Sequence, residues 1–106
     1  MTVHEMAKIL NLEAVHLEED RPVSGVFCGD LLSVVMSRAG AGAAWVTVIG
    51  NNNAVAVANL TDVACIILAE GYAYDAAATA AANGIVSLFK SANPVYETAK
   101  GVGALL

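Results

Sequence analysis

Two histidines, two cysteines and ten carboxylates are the groups in this chain with the most obvious chemical potential. Their spacing assembles no catalytic set. His4 and His16 stand at metal-ligand spacing from no cysteine or carboxylate, and a zinc site needs three or four converging ligands. Both are therefore read as structural, with no metal and no cofactor expected. Cys28 precedes Gly29-Asp30, where a helix start would lower a thiol's pKa. No base is spaced to serve it, so Cys28 and Cys65, each inside an apolar run, are expected to be reduced, buried thiols. No Gly-x-x-x-x-Gly-Lys loop and no Gly-x-Gly-x-x-Gly turn occurs. Gly40-Ala41-Gly42 precedes a strand instead of following one. The residues fit binding better than turnover, and a non-enzyme is expected.

Composition narrows the partners. The chain has 106 residues, 58% of them hydrophobic and 14% charged, with a net charge of −5. That length suits one domain spanning 1–106. The apolar excess suits a sheet covered on both faces, together with an exposed patch that self-associates. Negative charge disfavours nucleic acid and anionic membrane surfaces alike. The longest uncharged stretch, Ala39 to Thr61, is broken by Gly50-Asn51-Asn52-Asn53, so it is two elements and a turn rather than a span. Glu5 and Lys8 interrupt the N-terminus and no apolar h-region follows, which predicts no export signal and a cytoplasmic location.

The elements that would position any site alternate. Thr2 and Glu5 have capping-box spacing before a helix to about Leu10. Glu13 to Leu17 alternates like an edge strand. Val23 to Cys28 reads as a strand. Asp30 is placed to cap a helix from Leu31 to Ala39, with Leu31, Leu32, Val35 and Met36 on one face. Ala44 to Ile49 is the clearest strand. Ala54 to Leu60 reads as helix, and Val63 to Ala69 as a buried strand. Asp75 caps an alanine-rich helix closed by Asn83-Gly84. Ile85 to Phe89 is a last strand, and Asn93-Pro94 opens a last helix with Pro at its first position. Repeated β-α units predict an α/β fold, a three-layer α/β/α sandwich around a largely parallel sheet of about five strands.

In such sheets ligands gather at the carboxyl ends of the strands. Four segments should meet there: Cys28-Gly29-Asp30, Gly50 to Asn53, Glu70 to Asp75, and Lys90 to Asn93. Gly29, Asp30, Asn51, Asn52, Asn53, Gly71, Tyr72 and Tyr74 are the candidate ligand-binding residues. Ordinary turn and cap chemistry would use the same glycines, asparagines and aspartates. The Asn51 to Asn53 cluster exceeds one cap's needs, and Tyr72 and Tyr74 could stack on a ring. Trp45, inside a strand, reads as core. Lys90 is the only base at this edge.

Asp20-Arg21-Pro22-Val23-Ser24-Gly25 resembles the signature of the DRTGG domain family. The likeness continues through Gly29 to Met36, Trp45-Val46-Thr47, Asn53 to Ala58 and Ile66-Ile67-Leu68. The family's Thr-Gly-Gly stands here as Ser24-Gly25-Val26, so a hydroxyl is kept and the second glycine is lost. Asp20, Arg21, Ser24 and Gly25 are the family-motif residues. The resemblance implies a fold similar to the N-terminal domain of HPr kinase/phosphorylase, without the kinase domain. It implies a regulatory accessory domain that binds a small ligand such as a nucleotide and forms a homodimer. Two functions are expected from residues and resemblance together. One is a non-catalytic, ligand-sensing domain binding a nucleotide or small metabolite at the strand ends. The other is a protein-interaction module that dimerises and regulates a partner enzyme without a small ligand.

Overall fold

A computed structural model describes residues 1–106. Its elements run α1 (Val3–Ile9), β1 (Glu13–His16), β2 (Gly25–Cys28), α2 (Leu32–Arg38), β3 (Ala43–Thr47), α3 (Asn52–Thr61), β4 (Cys65–Leu68), α4 (Ala76–Ala81), β5 (Ser87–Lys90) and α5 (Val95–Ala104). The capping box forms as spaced: the Thr2 hydroxyl accepts from Glu5 N–H and the Glu5 carboxylate accepts from Thr2 N–H. Asp75 caps α4 by accepting from Ala78 N–H at 2.8 Å. The alanine–valine segment beyond Asn53 is helical, as its pattern indicates.

The strands form one sheet in the order β1-β5-β4-β3-β2. β2, β3, β4 and β5 are parallel, while β1 runs antiparallel to β5. The sheet is therefore mixed, which corrects the expectation of a largely parallel one. Connectivity explains the reversal. β1 lies at the opposite edge from β2, and only an antiparallel β1 ends at the edge where β2 begins. The link from Leu17 to Ser24 then runs along the amino ends of the parallel strands. It is fastened to each in turn. Glu18 N–H donates to the Ser87 hydroxyl at the start of β5. Arg21 pairs with Asp62 at 3.0 Å, before β4. Ser24 N–H donates to Gly42 O and its hydroxyl to Ala41 O, before β3.

Three crossovers in one direction, each right-handed, put α2, α3 and α4 on one face. Trp45, Ile66 and Leu88 pack there with Val35, Ala54, Val55, Ala58, Ala78 and Ala82. α1 and α5 cover the other face, where Met6, Val46, Ile67, Phe89 and Val102 pack. Phe27, Trp45, Ile66 and Leu88 are in register across four strands. The alanines of α3 and α4 are small enough to let the helices close on that row of large side chains. No buried side-chain nitrogen or oxygen lacks a hydrogen-bond partner. No helix is long and apolar enough to cross a membrane.

α2 departs from its pattern. Val35 is buried and Leu32 partly so, but Leu31 is 65% exposed and Met36 52% exposed. α2 lies at the end of the helix layer, so it buries a narrower stripe than a central helix. Pro94 occupies the cap position, one residue outside α5, rather than its first turn.

Candidate functional site

The carboxyl edge of the parallel strands is fastened loop to loop. Asp30 does not cap α2, contrary to expectation, and no side chain bonds that cap. Its carboxylate instead accepts from the Thr47 hydroxyl at 2.8 Å and from Val48 N–H at 3.0 Å. This holds the loop after β2 to the loop after β3. Gly29 supplies the carbonyl that accepts from the Trp45 indole at 2.9 Å. Asn51 caps α3, accepting from Asn53 and Ala54 N–H. Asn52 and Asn53 are exposed in the first turn. Gly50 O accepts from Asp75 N–H, joining the loop after β3 to the loop after β4.

The last join is between the loops after β4 and β5. Glu70 N–H donates to Asn93 O, Gly71 N–H donates to Ser91 O, and the Glu70 carboxylate accepts from Val95 N–H at 2.8 Å. Glu70 and Gly71 both have positive φ, 63° and 73°, which turns the chain sharply. The Ser91 hydroxyl bonds the Thr98 hydroxyl at 2.9 Å, anchoring the loop to α5. Here adjacent strands send their helices to opposite faces, α4 to one and α5 to the other. That divergence opens a groove of about 290 Å³ lined by Asn11, Glu13, Gly71, Lys90, Ser91 and Ala92.

Of the candidate ligand residues, only Gly71 lines this groove. Tyr72 is exposed nearby in sequence. Tyr74 is not a surface stacker. Its hydroxyl donates to Phe89 O at 2.8 Å and reaches Ile66 O at 3.2 Å. Burial drives its pKa well above the ordinary value. Lys90 and Ser91 came from a segment the pattern assigned to this edge. Asn11 and Glu13 did not, because they enter only through the antiparallel pairing that sets Glu13 opposite Lys90. Despite that register, the ion pairs within the chain join His4 to Asp20, His16 to Glu18 and Arg21 to Asp62, and none includes Lys90.

Asp20, Arg21, Ser24 and Gly25 lie at the other end of the molecule. Asp20 accepts from His4 N–H at 2.9 Å. With Glu18 and Glu19, Asp20 and Arg21 line a cleft of about 250 Å³ at the amino edge. A Cβ built on Gly25 meets nothing within 4 Å, so no close backbone approach fixes that glycine. Both histidines are engaged here. The His4 ring bonds Glu18 O, and the His16 ring bonds the Glu18 carboxylate. Glu18 also accepts from Gly84 N–H, and that bond, with His16, holds its carboxyl below the usual range.

Cys28 corrects the reading of two buried thiols: Cys65 is buried, but Cys28 is exposed at the end of β2. The Cys28 pKa is raised, by partial burial first and by the Asp30 charge second. Asp30 therefore opposes the thiolate that a helix start would favour. Burial pushes Cys65 up to about 12. Alkylation by iodoacetamide in the native state is expected at Cys28 alone, slower at neutral pH than for free cysteine. Asp30→Asn should speed it. Mass spectrometry of timed digests would show this, and a Cys28 faster than free cysteine would refute it.

No group of three or more metal-ligating side chains converges. No family model matches the chain, and no curated protein matches it either.

Proposed function

We propose that this chain is a non-catalytic, ligand-sensing regulatory domain of the DRTGG type, with a fold like the N-terminal domain of HPr kinase/phosphorylase. The observation that carries this is the groove at the β5 end of the carboxyl edge. It is lined by Lys90, which has no ion-pair partner, together with Asn11, Glu13 and the backbone turn at Gly71. Such a groove suits a small metabolite or nucleotide that brings one anionic group and several hydrogen-bonding groups. The chemistry supports binding over turnover. The histidines tie the amino edge, Tyr74 ties β4 to β5, and Asp30 disfavours the Cys28 thiolate. The domain would act in the cytoplasm as a homodimer.

The test is a thermal-shift panel of nucleotides, phosphorylated metabolites and small carboxylates. A binder present at about 100 times its Kd stabilises the folded state by about 2.7 kcal/mol. Lys90→Met should abolish that shift while leaving the unliganded melting temperature nearly unchanged, since Lys90 pairs with no acid. No shift with any compound at millimolar concentration would sink the reading.

A second reading is a protein-interaction module that regulates a partner enzyme without a small ligand. The exposed apolar side chains of α2 favour it. Capture of one enzyme in stoichiometric amount, with no ligand shift, would replace the first reading by this one.

A further inference from the structure

The antiparallel pairing of β1 with β5 sets an acid and a base side by side at the carboxyl edge. Glu13 and Lys90 are register partners. Directly opposed residues of an antiparallel pair project from the same face of a sheet and stand close enough to interact. Both line the groove described above. Neither belongs to any of the ion pairs of the chain. Glu13 is exposed and Lys90 half-buried. In water the attraction of such a pair hardly offsets the entropy lost in holding two long side chains together. Both charges are therefore available to a ligand. The neighbouring polar groups are already engaged. The Ser91 hydroxyl is shared between the Thr98 hydroxyl and Asn93 N–H. Gly71 N–H donates to Ser91 O, and the Glu70 carboxylate accepts from Val95 N–H. Asn11, whose positive φ of 54° turns the chain from α1 into β1, also lines the groove, and a side-chain amide both donates and accepts.

We infer that the groove takes a small zwitterion of the free amino acid class, its carboxylate on Lys90 and its ammonium on Glu13. The inference rests on the ligand-sensing reading above and names the class of ligand. Charge decides the class. A nucleotide or phosphorylated metabolite brings two or more negative charges. Lys90 answers one of them, while Glu13 repels the rest in a chain whose net charge is already −5. A polyamine meets the reverse problem at Lys90. An amino acid sets the opposite sign against each residue, so neither charge of the groove faces its like. Its two charged groups sit on one carbon, close together, as do side chains rooted at opposed positions of neighbouring strands. Each contact is a charge-assisted hydrogen bond, the stronger kind. Size agrees: at about 290 Å³ the groove lies at the small end of the roughly 300–1,000 Å³ that ligand sites span. The short lining residues Gly71, Ser91 and Ala92 suit a short side chain, and Asn11 suits a polar one.

Isothermal titration calorimetry of the intact chain is the test, with glycine, L-alanine, L-serine and L-asparagine as probes. At least one is expected to bind. Acetylating the amine of that probe removes its positive charge, and amidating its carboxyl removes its negative charge. Each change should weaken binding about tenfold or more, as loss of a charge-assisted hydrogen bond does. Glu13→Gln should weaken the parent amino acid by a similar factor but not the acetylated form. Lys90→Met should weaken the parent but not the amidated form. A merely structural role for either residue would not give that crossed pattern. An anionic nucleotide or metabolite that shifts the melting temperature, with no amino acid binding, overturns the zwitterion and leaves the ligand-sensing reading standing. An amino acid that binds both variants as tightly as the parent chain overturns the assignment to Glu13 and Lys90. No binding by any of these compounds at millimolar concentration overturns both readings together.

Discussion

Trp45→Ala is expected to destabilise the chain by about 3–5 kcal/mol, the range for removing a large aromatic from a packed core. Trp45 is fully buried in the middle of the row Phe27, Trp45, Ile66 and Leu88. The helices above it close through alanines, and Ala54, Ala58, Ala78 and Ala82 have no side-chain length with which to fill a vacated indole site. The substitution also strips the Gly29 carbonyl of its indole N–H donor. Gly29 adjoins Asp30, so the join between the first two loops of the carboxyl edge should loosen as well. A domain of this size has a total stability of about 5–15 kcal/mol. The loss is thus a large share of the whole. Urea denaturation followed by far-UV circular dichroism would measure it, since the substitution removes the fluorophore. The melting temperature should fall by about 12 °C or more. Trp45→Phe keeps most of the burial and should cost less. A loss below about 1 kcal/mol for Trp45→Ala would mean that the alanine helices collapse onto the sheet, contrary to the packing described.

Gly50→Ala is the second large effect, and it acts through space rather than backbone conformation. A Cβ at Gly50 would lie 2.5 Å from Ala73 O and 3.1 Å from a Leu68 methyl. The first contact is with backbone, which cannot swing aside. The loops after β3 and β4 must therefore separate, straining the Asp75 N–H to Gly50 O bond beside the α4 cap. Overpacking of this kind costs about 1–3 kcal/mol. Hydrogen exchange should localise the damage, with faster exchange at Asp75 and Ala78 than in the parent chain. Gly25→Ala is the matched control: nothing lies within 4 Å of the added Cβ, so stability should change little. Equal losses at the two glycines would refute the steric account.

Much of the fold was legible in local pattern. Thr2 with Glu5, Asn51 before its helix, and Asp75 before the alanines each act within one turn of chain. The fully buried β4 is a continuous apolar run because helices cover both its faces. Legibility failed where one side chain had several partners available. Asp30 precedes an apolar helix and has the chemistry of a cap. Thr47 and Val48, seventeen and eighteen residues on, offer it a hydroxyl and an N–H, and those bonds win. Tyr74 sits in a loop with nothing nearby to bury it, yet the carbonyls of Ile66 and Phe89 take its hydroxyl. Cys28 belongs to an apolar run but ends an edge strand, where one side has no neighbour.

The opening residues, the histidines, cysteines and carboxylates, show the same division. The chain order alone determined that the elements carrying them build an α/β fold and that four loops meet at one edge. Periodicity and capping are short-range effects, and sequence records them directly. Only the tertiary structure decided that β1 is antiparallel, because that direction depends on where the Leu17–Ser24 link must end. From that one reversal follow the groove, with Asn11 and Glu13 brought to Lys90 and Gly71, and the placement of Asp20, Arg21 and Ser24 as fastenings across the opposite edge. These pairings join residues up to 79 positions apart, Asn11 with Lys90, and no local pattern encodes them.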